Sequence, residues 1–424
     1  MGSGRIKYKL LTYGCTLNQA DSNIMRGVLA LHGCEEVEEE KNADVVVINS
    51  CTVKDATQTK IEHVLKKFSS IKKPIVLAGC MSVNEIAVFR NAPDASVVGT
   101  GSVGQIYEAV KTAVRKEKAV FKSASSKLDL PRVRNGAIAK IAIGEGCLSS
   151  CTFCQTKLAR GKLFSYPLKS VCLEVKRWAD AGAVEMQLTG QDTGAYGADI
   201  KSNVAELLGE ACEVEGNFKI RLGMVNPQHV KKYLKELLKV YENPKMYKFL
   251  HIPVQSGSNK VLREMRRENT KEEFLELAGA FRKKFPDMSI MTDIIVGFPT
   301  ESEEDFQETM EMLREAQLDR VNVSRFSPRP FTIARKMKQI SNTIVKRRTV
   351  ECAALCKKIT IAKNKEWIGK EMEITITEKV KTLNGRDENY RQVALPENFK
   401  GKIGEKVRVK ITGAGFSCLL GKPI

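Results

Sequence analysis

Between residues 5 and 122 the chain alternates short β-branched runs with longer stretches of helical periodicity. Apolar runs at 7–12, 45–49, 75–78 and 95–98 read as strands covered on both faces, which lose the usual alternation. Segments 21–32 and 54–68 repeat apolar residues at helical spacing. Strand and helix in alternation predict a parallel α/β domain over 5–122. The lysine-rich stretch from Lys111 to Lys127 reads as helix plus linker, a solvated face with a contact to RNA as the functional reading, and residues 123–135 are expected to be a basic linker. From 136 to 360, strand patterns recur at 138–143, 184–189, 219–223, 249–253, 289–295 and 320–324 with helices between them, predicting a partial (β/α)6 barrel. Such barrels work at the carboxyl ends of their strands. Those ends hold Cys147, Gly190, Gln191, Asp192, Asn226, Gln255 and Gly297. Beyond 361 the period becomes two, at 372–377, 390–394 and 406–411 with glycine-containing turns, so 361–424 is expected to close as a small β-barrel.

Composition narrows the class. The 424 residues carry 69 Lys and Arg against 50 Asp and Glu, a net charge of +19. Such an excess suits a polyanion held through phosphate contacts, and with aromatics at only 6% backbone tracking is expected rather than base stacking. No apolar stretch reaches the length of a membrane span and no signal peptide is recognised. The expectation is a cytoplasmic protein with no membrane partner. Twelve cysteines without a secretion signal argue against a disulfide framework. Cys34, Cys172, Cys212 and Cys418 read as structural. Cys352 and Cys356, four apart on a predicted helix, read as packing.

The other six cysteines form two triads. Cys147, Cys151 and Cys154 make a C-x3-C-x2-C run after a short apolar segment and the turn Gly144-Glu-Gly146. No fourth Cys or His is near, as a structural zinc site would need, and no fourth Cys is followed by Pro, as in a two-cluster ferredoxin. Three thiolates so close fit a 4Fe–4S cube with one iron open to chelate the amino and carboxylate groups of S-adenosylmethionine. The second triad is dispersed: Cys15, Cys51 and Cys80 each follow a predicted buried strand. Ligand sites of open parallel sheets gather at strand carboxyl ends, so these three are expected to converge. The alternative is that they are small buried hydrophobes.

Tyr13-Gly-Cys-Thr-Leu-Asn-Gln-Ala-Asp-Ser22, Asn49-Ser-Cys-Thr-Val53 and Ala78-Gly-Cys-Met81, followed by the compact triad, resemble the radical-SAM methylthiotransferase family over nearly the whole chain. Cys154-Gln-Thr-Lys-Leu-Ala-Arg-Gly161, Phe164-Ser-Tyr-Pro167, Leu188-Thr-Gly-Gln-Asp-Thr-Gly-Ala-Tyr-Gly197 and Arg221-Leu-Gly-Met-Val-Asn-Pro227 are similar to its archaeal and eukaryotic branch, which acts on N6-threonylcarbamoyladenosine beside the tRNA anticodon. The eukaryotic members typically end in a membrane anchor, so the end of this chain at residue 424 favours the soluble archaeal form. The resemblance implies an N-terminal methylthiotransferase domain, a radical-SAM barrel and a C-terminal TRAM-like β-barrel that grips tRNA.

It further implies that a cluster on Cys147, Cys151 and Cys154 reduces S-adenosylmethionine, releasing a 5′-deoxyadenosyl radical. A cluster on Cys15, Cys51 and Cys80 would hold the sulfur, and a second S-adenosylmethionine would supply the methyl group installed at adenine C2. An external electron donor and a sulfur source follow as partners. Gln191 and Asp192 stand where many relatives carry the Gly-Gly-Glu that receives the S-adenosylmethionine amino group; a helix cap is the structural alternative for Asp192. Arg160, Lys157 and Lys162 are candidates for the substrate carboxylate or nearby phosphates, or for mere solvation of their loop. Two segments depart from the family. Asn269 replaces a Tyr, and Arg329-Pro-Phe-Thr-Ile333 replaces Arg-Pro-Gly-Thr-Pro. The competing readings are the same chemistry on isopentenyladenosine or a ribosomal protein, and a non-enzymatic iron–sulfur RNA-binding protein.

Overall fold

The computed structural model describes residues 5–52, 55–123 and 126–424. Residue 54, where a helix was expected to begin, and residues 124–125 of the expected linker lie outside them. The first sheet contains β1 (Lys7–Thr12), β2 (Glu35–Glu36), β3 (Val45–Ser50), β4 (Ile75–Gly79), β5 (Ser96–Val98) and β6 (Val120–Phe121). All pair in parallel in the order β2-β1-β3-β4-β5-β6. Every residue of β3 is buried. Its alternation sends Val45 and Val47 into a cluster with Ile24, Val28 and Ala109, and Val46 and Ile48 into one with Ile61, Leu65 and Val88. Each fully buried side chain of this kind contributes about 1.5–3 kcal/mol.

The helix expected from residue 21 spans Thr16–Leu31 and starts directly after Cys15. Asn18, Asp21 and Ser22 obscured the pattern, because they are polar yet buried. The lysine-rich stretch also differs from expectation. After a helix at Ile106–Val114 the chain joins the sheet as edge strand β6, and Lys127 is buried in ion pairs rather than solvated.

The central unit contains β7 (Ile138–Ala142), a short antiparallel ribbon of β8 (Gly144–Glu145) with β9 (Phe164–Ser165), then β10 (Glu185–Thr189), β11 (Lys219–Leu222), β12 (Phe249–His251), β13 (Ser289–Val296) and β14 (Arg320–Arg325). Two parallel three-stranded sheets, β11-β10-β7 and β12-β13-β14, are joined by backbone bonds beside β11 and β12, including Val225 N–H to His251 O at 2.9 Å. The result is an open partial barrel in the order β7-β10-β11-β12-β13-β14, as expected. One large core fills it and takes in Cys212, Cys352 and Cys356, the last two on the helix Asn342–Lys365.

The C-terminal strands β15 (Glu371–Lys379), β16 (Leu383–Arg386), β17 (Gln392–Ala394), β18 (Lys406–Ala414) and β19 (Leu419–Pro423) close a five-stranded barrel in the order β15-β16-β17-β19-β18. Along β18, Val407, Val409 and Ile411 belong to or line the interior while Lys406, Arg408 and Lys410 face solvent.

The outer units attach at opposite ends of the central barrel. The C-terminal barrel meets the amino ends of the strands. Glu185, fully buried at the start of β10, accepts from Arg386 Nε at 2.9 Å and Tyr390 OH at 3.1 Å, and Arg320 at the start of β14 donates to Ser417 O. The N-terminal unit meets the carboxyl ends, where the triads lie: Thr100 donates to Ala159 O, and Arg329 to Gln58 at 3.2 Å.

Candidate functional site

β1, β3 and β4 are neighbours in the sheet, so the residues leaving their carboxyl ends lie side by side. Asn18 sits at the centre. Its Oδ1 is 3.9 Å from Cys15 Sγ and 3.8 Å from Cys80 Sγ, while its Nδ2 donates to Ser50 O at 2.6 Å and Tyr13 O at 3.0 Å. Cys51 is pressed against the preceding loop: a Cβ on Gly14, which has φ +116°, would lie 2.6 Å from Cys51 Cβ, so only glycine fits there. Asn49 donates to Asn18 O at 2.7 Å and Ser22 Oγ at 2.9 Å, and Ser50 Oγ donates to Ala78 O at 2.5 Å, stitching the three strand ends together. Burial pushes the Cys80 thiol up to about 11 although Arg160 beside it pulls the other way. Cys51 and Cys80 are buried and Cys15 is exposed, giving the group one open side.

The compact triad hangs on the loop between β8 and the helix Thr156–Arg160. Gly146, at φ +71°, is held so closely against Lys162 O that no side chain fits. Lys157 Nζ donates to Leu148 O at 3.0 Å and Ser149 O at 2.8 Å, fixing the loop from inside. Arg267 places Nη1 3.8 Å from Cys151 Sγ and donates through Nη2 to Pro253 O at 2.8 Å. Burial pushes Cys147 up to about 11, with Asp192 adding to it. Burial also raises Cys151, against the pull of Arg267.

Beside this triad the strand ends supply polar groups. Asp192 Oδ1 accepts from the backbone N–H of Gly194 and Asn226, both at 3.1 Å, and Oδ2 from Asn226 Nδ2 at 2.5 Å; His229 Nε2 lies 3.4 Å from Oδ2. Asp192 is thus engaged as a cap. Gln191 Oε1, Asn226 Oδ1 and Gln228 Oε1 are buried without a partner, and Gln228 Nε2 donates to Ser149 Oγ at 3.2 Å. Each orphaned acceptor costs about 1–3 kcal/mol, so three together point to a ligand with hydrogen-bond donors.

Two of the three basic candidates are corrected. Arg160 is wholly buried in ion pairs with Asp21 (2.8 Å) and Glu145 (2.9 Å) and cannot meet a substrate carboxylate. Lys157 is spent on two backbone carbonyls. Lys162 is exposed. Sequence reasoning missed Asn18, Gln228 and Arg267. Asn18 carried a faint signal, a polar residue three positions after Cys15, whereas Arg267 carried none. Asn269, where the family often has Tyr, is buried, and Phe331 in the second departing segment is exposed at φ +65°.

Among the described residues no group of His, Cys, Asp or Glu is gathered tightly enough for a single metal ion. The orphaned acceptors fit a neighbouring cationic amino group.

Fold and site together define a radical S-adenosylmethionine protein with an additional α/β unit over the barrel mouth. The Radical SAM superfamily pattern matches residues 141–313, and that of Uncharacterized protein family UPF0004 matches residues 7–99. The solved structure of the radical S-adenosylmethionine methyltransferase TsrM from Kitasatospora setae, with cobalamin and a [4Fe-4S] cluster bound, superposes with a TM-score of 0.56 at 12% identity, over 78% of this chain and 77% of that one, a likeness of fold. The probable threonylcarbamoyladenosine tRNA methylthiotransferase of Pyrococcus horikoshii is 41% identical over 99% of this chain and 100% of its own length. The human threonylcarbamoyladenosine tRNA methylthiotransferase is 35% identical over 99% of this chain and 74% of its own. The chain belongs to the threonylcarbamoyladenosine tRNA methylthiotransferase family. It is an enzyme of the radical-SAM class, and its cofactors are S-adenosylmethionine and two 4Fe–4S clusters. No helix among the described residues is long and apolar enough to cross a membrane.

Proposed function

We propose that this protein converts N6-threonylcarbamoyladenosine next to the tRNA anticodon into its 2-methylthio derivative. Cys147, Cys151 and Cys154 hold the cluster that binds S-adenosylmethionine, and Cys15, Cys51 and Cys80 hold the second. The observation that carries the reading is the end-to-end match to relatives of that name, in a chain where Arg160, on the helix after the compact triad, bonds Asn18 beside Cys15 and Cys80. Adenine C2 bears an unactivated C–H beyond the reach of ordinary side-chain acids and bases; the cofactors supply the radical, the sulfur and the methyl group.

The chain's own residues bind, orient and exclude water. Lys157 and Arg267 hold the compact triad in shape. Asp192 fixes Asn226, leaving Gln191, Asn226 and Gln228 to accept from the S-adenosylmethionine amino group. The N-terminal unit covers the barrel mouth. Lys162, exposed and close in sequence to Cys154, is a cation available to a substrate carboxylate or phosphate.

The units 5–122, 136–360 and 361–424 act as methylthiotransferase domain, radical-SAM barrel and TRAM-like barrel. On the last, the exposed face carrying Arg408, Lys410 and Lys422 is net basic: Lys410 and Lys422 are register partners, and Glu371, paired with Arg408 at 3.1 Å, is an acidic neighbour. That face tracks phosphates of a tRNA presenting its modified base from the single-stranded loop. The protein works in the cytoplasm with an external electron donor and a sulfur source. Mass spectrometry of tRNA nucleosides from cells with and without the gene tests this: the methylthio derivative should vanish with the gene, and its persistence would refute the assignment.

A further inference from the structure

Arg160 ends the helix that begins two residues after Cys154, yet its guanidinium lies in the second triad. Nη2 donates to Asn18 Oδ1 at 2.7 Å, the same oxygen that Cys15 Sγ and Cys80 Sγ approach. Nη1 reaches Glu145, Nη2 also reaches Asp21, and Nε is buried without a partner. Lys127 Nζ bonds the other oxygens of the same two carboxylates, at 2.7 Å to Asp21 and 2.8 Å to Glu145. Two cations and two carboxylates therefore balance, so the hub would turn net negative beside the thiols if the guanidinium charge were removed. Burial opposes the charge on Arg160, but Asp21, Cys80, Glu145 and Cys15 more than offset it.

We propose that Arg160 is a positioning residue linking the two triads: from the compact triad's own loop it brings a permanent positive charge and N–H donors to Cys15 and Cys80, fixing the spacing of the sites and raising the reduction potential of the second cluster. This rests on the reading of Cys15, Cys51 and Cys80 as cluster ligands. Ion pairing with Asp21 and Glu145 alone would explain a strut; it does not explain why the guanidinium shares its acceptor with two thiols. A planar fork can point at several partners at once, which a lysine cannot. Positive charge and hydrogen bonds near a cluster favour its reduced, more negative state.

The test uses the reconstituted full-length enzyme as wild type, Arg160→Lys and Arg160→Gln. Redox titration followed by electron paramagnetic resonance is repeated with Cys147, Cys151 and Cys154 changed to Ala, to isolate the second cluster. Its midpoint should move to more negative potential in Arg160→Gln and less in Arg160→Lys, while the other cluster's midpoint stays put. The ratio of methylthiolated nucleoside to 5′-deoxyadenosine should fall by roughly tenfold or more. A second-cluster midpoint unmoved in both variants would make Arg160 a strut only and overturn the proposal. Should Arg160→Gln not fold, an Arg160→Lys enzyme with wild-type midpoint and product ratio would overturn it equally. A wild-type enzyme binding only about four irons would remove instead the two-cluster reading beneath it.

Discussion

The two cysteine triads reach neighbouring positions by different routes. The compact one is a property of a loop: three thiols within eight consecutive residues, shaped by Gly146, Lys157 and Arg267. The dispersed one is a property of a sheet. Cys15, Cys51 and Cys80 meet because β1, β3 and β4 are adjacent and because Asn18, Asn49 and Ser50 tie their ends. The first can persist through local disturbance of the N-terminal unit; the second exists only while that sheet is folded. A site written into contiguous sequence is thus robust, and one written into topology depends on buried polar residues away from its ligands.

The largest effect separates the triads by chemistry. Changing Cys147, Cys151 and Cys154 to Ala should lower bound iron from about eight to about four per chain and abolish 5′-deoxyadenosine formation, measured by chromatography after anaerobic reconstitution. Changing Cys15, Cys51 and Cys80 should remove a similar amount of iron and eliminate the methylthio product while 5′-deoxyadenosine still forms. Full iron and full product in that variant would collapse the distinction.

A smaller effect probes the dependence on topology. Lys127→Met leaves Asp21 and Glu145 short of a counter-charge in a buried setting. The loss should be about 3–5 kcal/mol, a large share of a typical domain's stability, read by denaturant unfolding of the apoprotein. Iron at the dispersed triad should be lost before iron at the compact one. The smallest effect lies at the far end of the barrel. Changing Arg408, Lys410 and Lys422 to Gln should weaken tRNA binding and flatten its salt dependence by about one unit of slope per charge removed, with S-adenosylmethionine cleavage intact. Unchanged binding would deprive the C-terminal barrel of its tRNA role.

The same contrast governs what could be read beforehand. The six central strands were legible to within a residue or two because apolar or β-branched residues recur along them, alternating in and out of the core in β7, β11 and most of β13. The short strands β2, β6, β8 and β9 were not, because their partners rather than their own pattern define them; β16 likewise carries Asn384 and Gly385. That Cys15, Cys51 and Cys80 would follow neighbouring strands was legible from their positions after apolar runs. Arg160 and Lys127 were misread as surface residues, since charge in a sequence suggests solvent and their buried counter-ions come from distant segments. Asp192 lies at the carboxyl end of its strand as the pattern suggested, but its occupied oxygens are visible only in three dimensions.

Substrate identity is the central claim, and a single-turnover assay addresses it directly. The reconstituted enzyme is given one tRNA in three forms, carrying N6-threonylcarbamoyladenosine, plain adenosine or isopentenyladenosine, and the nucleosides are analysed by mass spectrometry. A pocket that pairs the polar carbamoyl and carboxylate groups discriminates strongly against analogues lacking them. Only the threonylcarbamoyl form should therefore gain the methylthio group. Efficient modification of the isopentenyl form would contradict the account.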